Sequence, residues 1–336
     1  MFDFQKPKML LNECPAYHAT PLLEVSYNDR KILLKDERNR MALGSFKALG
    51  GVYAVTQLIA TRVEGILEKS IAPNEYLSED VKAIAKDMTF VCASAGNHGI
   101  SVAAGAKIFA AKSRIHLSNS VPEDFAVRLR NIGATVVRSG ENYEQSIVAA
   151  ITDAKETNSI HLADGSWQGY TKIPKLVMEG YTIIAEELRQ EFEKSNHWPT
   201  HVYLQAGVGG LASAITFMIR HNWQIQPEII IVEPDRAPCL AESIRQKKIV
   251  TVEGAVSNMG RLDCKTPSLI AFDILRKMAD RFVTISDTEV LNALSKISKV
   301  GVKTTPSGIA GLAYLLKEIN EVKRPLVIIT EGTIKH

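Results

Sequence analysis

The chain reads as an α/β protein of open twisted sheets flanked by helices, arranged in two lobes. Two observations lead there. Short apolar runs alternate with helix-length segments between residues 90 and 156, and the alternation resumes between 201 and 330. At 336 residues the chain is also long for one hydrophobic core and comfortable for two.

The elements follow in order. Arg30–Lys35 (RKILLK) reads as a short strand and Asp36–Asn39 as the turn after it. Ser45–Ala60 reads as a helix, because Val52, Val55, Leu58 and Ile59 keep helical spacing despite Gly50-Gly51; Ser45 is the candidate N-cap. Phe90–Ala93 has the apolar character of a buried parallel strand, and the small-residue stretch Ile100–Ala111 is helical. Ile115–Leu117 is a strand, Glu123–Ile132 a helix opened by Pro122, Thr135–Val137 a strand and Tyr143–Glu156 a helix. The second series has strands at His201–Gln205, Glu228–Val232 and Leu326–Thr330. Its helices are Gly210–Arg220, Ala237–Gln246, Leu269–Met278, Thr288–Val300 and Ser307–Ile319. Polar Gln190–Thr200, ending near Pro199, reads as an exposed connection.

Composition narrows the function. The chain is 46% hydrophobic and 23% charged, as globular proteins are. Its 40 basic and 37 acidic residues argue against a nucleic-acid-binding surface. No 18-residue apolar run occurs, and the charged N-terminus fits neither a signal peptide nor a membrane span. Cys14, Cys92, Cys239 and Cys264 show no C-x-x-C pairing and no histidine at metal-ligand spacing, so no metal site is expected; they read as reduced thiols of a cytoplasmic protein.

Three motifs carry chemistry. Ala206-Gly207-Val208-Gly209-Gly210-Leu211 joins a predicted strand to a predicted helix. Glycines there let backbone amides approach an anion, aided by the helix N-terminus. The loop has no Walker lysine, and its closely spaced glycines differ from G-x-G-x-x-G. Taken alone it fits a phosphate cradle and a tight turn equally. Lys47, in Ser45-Phe46-Lys47, is at a helix start where lysines are ordinarily solvated; desolvated, its amine can form a Schiff base with an aldehyde. Ser94-Ala95-Gly96-Asn97-His98-Gly99 precedes a helix. Its amides suit a carboxylate and Asn97 a ring hydroxyl, or it is simply a capped turn with His98 as packing.

Together, in this order, these motifs resemble the fold-type II family of pyridoxal-phosphate enzymes, the tryptophan synthase β-like group. The resemblance spans about Thr20 to Thr330, and Thr20-Pro21-Leu22, Lys35-Asp36-Glu37 and Thr330-Glu331-Gly332 add to it. It implies a two-lobed fold: a larger cofactor-binding domain from residues 1–50 and 166–336, and a smaller substrate-side domain from 51–165. It implies pyridoxal 5′-phosphate as cofactor, an amino acid as substrate and a homodimer as the assembly. By residue, it implies Lys47 as the Schiff-base lysine, Asn97 at the ring hydroxyl, Gly207, Val208, Gly209, Gly210 and Leu211 at the phosphate, and Thr330 at the pyridine nitrogen. Ser94, Ala95, Gly96 and His98 would surround the substrate carboxylate. A neutral hydroxyl at Thr330 suits elimination of a β-substituent over transamination.

Asp164-Gly165-Ser166-Trp167-Gln168-Gly169-Tyr170-Thr171-Lys172-Ile173-Pro174 resembles the D-x-x-W-x-G-Y-x-x-I-P segment of the diaminopropionate ammonia-lyases. Gly260–Cys264 with Thr266-Pro267-Ser268 resembles their later G-L-x-C-x-x-P-S loop. Plain core packing is the other reading of Trp167 and Tyr170. Members of that subfamily often carry Asp at the position of Ala95, expected to take the α-proton of a D-isomer. Ala95 cannot do so, which leaves Lys47 as the general base and predicts α,β-elimination from an L-amino acid. Asp164 is the second titratable candidate, for binding the substrate's distal amine or for proton transfer; a loop cap or N-cap role fits it equally. A serine/threonine dehydratase shares Ser45-Phe46-Lys47 and Ser94–Gly99 and is the rival enzyme. A cofactor-binding protein without turnover is the rival outside catalysis.

Overall fold

The computed structural model describes residues 2–94, 96–298 and 301–333. The chain opens with α1 (Gln5–Asn12), β1 (Leu22–Tyr27), β2 (Arg30–Asp36) and α2 (Lys47–Leu67). Then come α3 (Glu79–Ala85), β3 (Thr89–Ala93), α4 (Asn97–Ile108), β4 (Lys112–Leu117), α5 (Glu123–Ile132), β5 (Thr135–Arg138), α6 (Tyr143–Glu156) and β6 (Ile160–His161). The remainder is α7 (Lys172–Ser195), β7 (His201–Gln205), α8 (Gly210–Asn222), β8 (Glu228–Pro234), α9 (Cys239–Arg245), α10 (Leu269–Met278), β9 (Arg281–Ile285), α11 (Asp287–Ser298), α12 (Pro306–Glu318) and β10 (Pro325–Ile329).

Two sheets result. The larger has the order β1-β2-β10-β7-β8-β9 and is parallel except for the edge hairpin β1–β2. That hairpin turns at Asn28-Asp29, both with positive φ, which suits the twist of the flanking strands. The smaller sheet, β5-β4-β3-β6, is wholly parallel. Inner strands such as β8 and β10 are covered on both faces, so they read as continuous apolar runs. The carboxyl ends of β2, β7 and β10 and those of β3 and β6 lead into one cleft, where open α/β sheets bind ligands.

Helix α2 joins the lobes, packing on α4 on one side and α7 on the other. Gly50-Gly51 makes this possible. A Cβ on Gly50 would stand 2.6 Å from the Val177 carbonyl oxygen, and one on Gly51 would run into Ser101. Two glycines weaken a helix by about 1 kcal/mol each relative to alanine; here they allow backbones to cross in near contact.

Three sequence expectations need correction. Ser45 does not cap α2. The helix starts at Lys47, with Phe46 at the cap and no side-chain capping bond. Ser45 instead pairs with Glu331 in an isolated bridge, and the Phe46 amide donates to the Thr330 carbonyl at 3.0 Å. The helix entry is thus stitched to the chain leaving β10, and the helix itself continues to Leu67. Gln190–Ser195 is not a connection but the end of α7. Arg189 pairs with Glu186 and Glu193 along that polar face, and Phe192 is buried against Trp198 and Trp223. Asp36 lies in β2 rather than in the following turn. Of the helix expected over Thr288–Val300, Asp287–Ser298 is helical and residues 299–300 lie outside the described residues. Among the described residues no helix is long and apolar enough to cross a membrane. The four cysteines are free thiols.

Candidate active site

The cleft between the sheets contains about 1040 Å³ of space free of protein atoms, its open mouth included. That suits a small molecule. Lys47, Ser94, Gly96, Asn97, His98, Asp164, Gly207–Leu211 and Thr330 all line it. Ala95 lies outside the described residues.

Lys47 occupies the first turn of α2, where the stitch to β10 fixes it. Its Nζ donates to Asp164 Oδ2 and forms an ion pair with it. Burial pulls the lysine pKa down most, but the charge and hydrogen bond of Asp164, with Tyr181 and Cys264 nearby, together outweigh it, so the amine ends above its ordinary value. Burial likewise pushes Asp164 up, and Lys47 more than reverses it, leaving the carboxyl below the usual range. The pair is a compensated charge couple in a low-dielectric wall.

Asp164 lies just beyond β6 on a loop held from three sides. The Leu162 amide donates to the Val91 carbonyl at 2.7 Å. His98 Nε2 meets the Leu162 carbonyl at 2.9 Å, so Nε2 carries the proton. Burial lowers the pKa of His98, in keeping with a neutral ring, and its Nδ1 has no partner among the described residues. The Tyr170 hydroxyl donates to the His161 carbonyl at 2.6 Å and accepts from the Ala163 amide at 3.2 Å. Trp167 stacks on the Tyr170 ring at 4.4 Å but is 40% exposed. Tyr170 is therefore a clamp and Trp167 its cover; neither is plain core packing.

Ser94 Oγ accepts from the amides of Gly96 (3.0 Å) and Gly99 (2.8 Å) and so closes the turn into α4. Asn97 Nδ2 donates to Glu331 across the cleft. On the other wall, Gly209 has φ +92° and precedes α8. A Cβ there would meet Ala271 at 2.9 Å and Leu240 at 3.0 Å. Among the described residues, the amides of Gly209, Gly210, Leu211 and Ala212 have no protein acceptor. Free amides at a helix N-terminus form an anion cradle. Thr330 Oγ1 accepts from Gln205 Nε2 at 3.4 Å, which leaves its own proton free.

Sequence reasoning did not place Glu331, Arg261 or Tyr181 in the site, yet all three line the cleft. Glu331 had one signal, a carboxylate directly after an apolar strand. Arg261 had one in its place within the Gly260–Cys264 segment, though no role followed from it, and Tyr181 had none, since its position depends on how α7 packs.

A family model described as pyridoxal-phosphate dependent enzyme matches residues 14–331. The diaminopropionate ammonia-lyase of Escherichia coli (strain K12) is 33% identical over 279 residues, covering 81% of this chain and 69% of that one. The diaminopropionate ammonia-lyase of Salmonella typhimurium is 30% identical over 325 residues, covering 92% and 80%. The crystal structure of the selenomethionine-incorporated holo diaminopropionate ammonia lyase from Escherichia coli superposes with a TM-score of 0.85 at 28% identity, covering 98% of this chain and 88% of that one. With its length matched almost throughout, the chain belongs to the family of pyridoxal-phosphate-dependent enzymes.

Proposed function

We infer that the chain catalyses α,β-elimination of 2,3-diaminopropionate to pyruvate and ammonia, with preference for the L-isomer. The observation that carries this reading is the half-buried Lys47–Asp164 pair in the cleft. When bound, pyridoxal 5′-phosphate supplies an aldehyde that joins to an amine and a ring that takes up the electron pair left by a departing α-proton. The residues present fit that group. The unpaired amides from Gly209 to Ala212 suit its phosphate, Lys47 its aldehyde, Asn97 its ring hydroxyl and Thr330 its ring nitrogen. Thr330 can donate a hydrogen bond there but, unlike an acid, does not give up its proton.

Asp164 explains why a second amine would matter. It holds Lys47 protonated, and a protonated lysine cannot act as a base. A substrate ammonium that takes over Asp164 leaves burial as the largest influence on Lys47, which lowers its pKa and frees the amine to accept the α-proton. The same carboxylate then orients the departing amine. A homodimer, from the family resemblance, and a cytoplasmic setting, from the unpaired cysteines, are further expectations; light scattering at about twice the 37.0 kDa chain mass would support the first.

The test is a substrate panel on purified holoenzyme, following 2-oxo acid release from L- and D-2,3-diaminopropionate, L-serine and L-threonine. L-2,3-diaminopropionate should be turned over best. Equal use of the D-isomer would remove the stereochemical preference, and faster use of L-serine or L-threonine would make the chain a dehydratase.

A further inference from the structure

One cation in the cleft, Arg261, has no part in the proposed reaction. Arg261 lies on the loop between α9 and α10 and lines the cleft. Its amide donates to Ser307 Oγ at 3.1 Å, which fixes its backbone. Its guanidinium lies over the ring of Phe125, 5.1 Å from the centroid, so α5 of the opposite lobe supports the head group. Arg261 Nε is 3.1 Å from Glu331 Oε2, yet this buried N–H has no hydrogen-bond acceptor among the described residues. The contact is charge attraction without hydrogen-bond alignment. Among the described residues, neither Nη donates a hydrogen bond to the protein.

Glu331 is a poor permanent partner for this head group. Its carboxyl also accepts from Asn97 Nδ2 and Thr305 Oγ1, and burial raises its pKa despite the neighbouring cation. Arg128, also on α5, adds a second guanidinium close enough that burial and Arg261 together lower its pKa. The cleft thus holds a rigid five-donor fork whose hydrogen-bonding capacity the protein leaves unmet. Such a fork matches the two oxygens of a carboxylate.

We propose that Arg261 is a receptor for a substrate carboxylate, with Glu331 holding its place until that carboxylate arrives. This rests on the reading that the site takes an amino acid. The carboxylate has two sources: the α-carboxylate, which the turn at Ser94–His98 would share, or a second carboxylate further along the substrate.

Binding without turnover tests this. The holoenzyme and its Arg261→Gln and Arg261→Lys variants are titrated by absorption with L-alanine, L-alaninamide and L-aspartate. The amide lacks the α-carboxylate. Arg261→Gln should weaken L-alanine by about 10- to 100-fold and leave L-alaninamide unchanged. Arg261→Lys should recover part of the loss, because lysine keeps the charge without the planar fork. That pattern assigns the α-carboxylate. A loss confined to L-aspartate assigns the second carboxylate. Equal weakening of L-alanine and L-alaninamide, or no change with any ligand, overturns the proposal. If Arg261→Gln does not fold, Arg261→Lys gives the same comparison at smaller amplitude. Absence of turnover on diaminopropionate would refute the elimination reading without altering these binding ratios.

Discussion

The two walls of the cleft are made differently. The wall at β7 and α8 is backbone: Gly209 sets the turn, and free amides face the space. The rest of the lining, drawn from both lobes, is charge: Lys47 against Asp164, and Glu331 between Asn97 and Arg261. The backbone wall can hold an anion of fixed shape without changing state. The charged wall is compensated only while its partners stay together, so it responds when a ligand takes one of them. In the proposed function the first wall takes the cofactor's phosphate, and Asp164 and Arg261 of the second discriminate the substrate.

Substitutions can break that contrast, and the largest effect is expected at Lys47. Lys47→Ala should abolish the absorption band of the covalently held cofactor and lower kcat by about 10⁴-fold or more. Persistence of the band would remove Lys47 from the attachment. On the backbone wall, Gly209→Ala forces a side chain onto φ +92° and into Ala271 and Leu240. It should cost about 1–3 kcal/mol and weaken cofactor binding in equilibrium dialysis. Gly210→Ala meets no atom closer than 3.7 Å and should be nearly silent, which sharpens the claim that Gly209 sets the cradle. The smallest effect is at Tyr170. Tyr170→Phe removes the two hydrogen bonds ahead of Asp164 and should lower thermal stability by about 1–2 kcal/mol, with kcat falling and KM steady. An unchanged kcat would make the clamp irrelevant to Asp164.

Acid and base titration of the cofactor-free protein addresses the charged wall alone. Asp164 is held low, so its contribution to stability is present above the ordinary carboxyl pKa and lost as pH falls through the depressed value. Lys47 is held high, so its contribution is present below the ordinary lysine pKa and lost as pH rises through the raised value. The pair should therefore leave stability flat between about pH 5 and pH 9, as urea unfolding would measure. A marked slope there that disappears in the double variant Lys47→Met, Asp164→Asn would contradict the pairing.

The same contrast governs what could be read from sequence. Helices α5, α6 and α10 have their expected bounds, because apolar spacing and end signals agree there. Buried strands such as β8 announce themselves as apolar runs. The polar second half of α7 does not, because ion pairs and the single anchor Phe192 hold it. The half-exposed edge strand β1 lacks an apolar run for the same reason. Within the site, glycine-rich and small-residue turns were visible because their chemistry is local. Asn97 and Glu331 meet across 234 residues of chain, and no local pattern predicts that. Arg261 likewise acquires its place from Phe125 and Ser307, which belong to other elements.

In the proposed reaction Asp164 exchanges the Lys47 ammonium for the second ammonium of the substrate. Asp164→Asn tests it most directly, with kcat/KM measured on L-2,3-diaminopropionate and on L-β-chloroalanine, which has a leaving group but no second amine. The loss should be on the order of 10²-fold with diaminopropionate, with little change on chloroalanine. Equal losses on the two substrates would contradict the exchange.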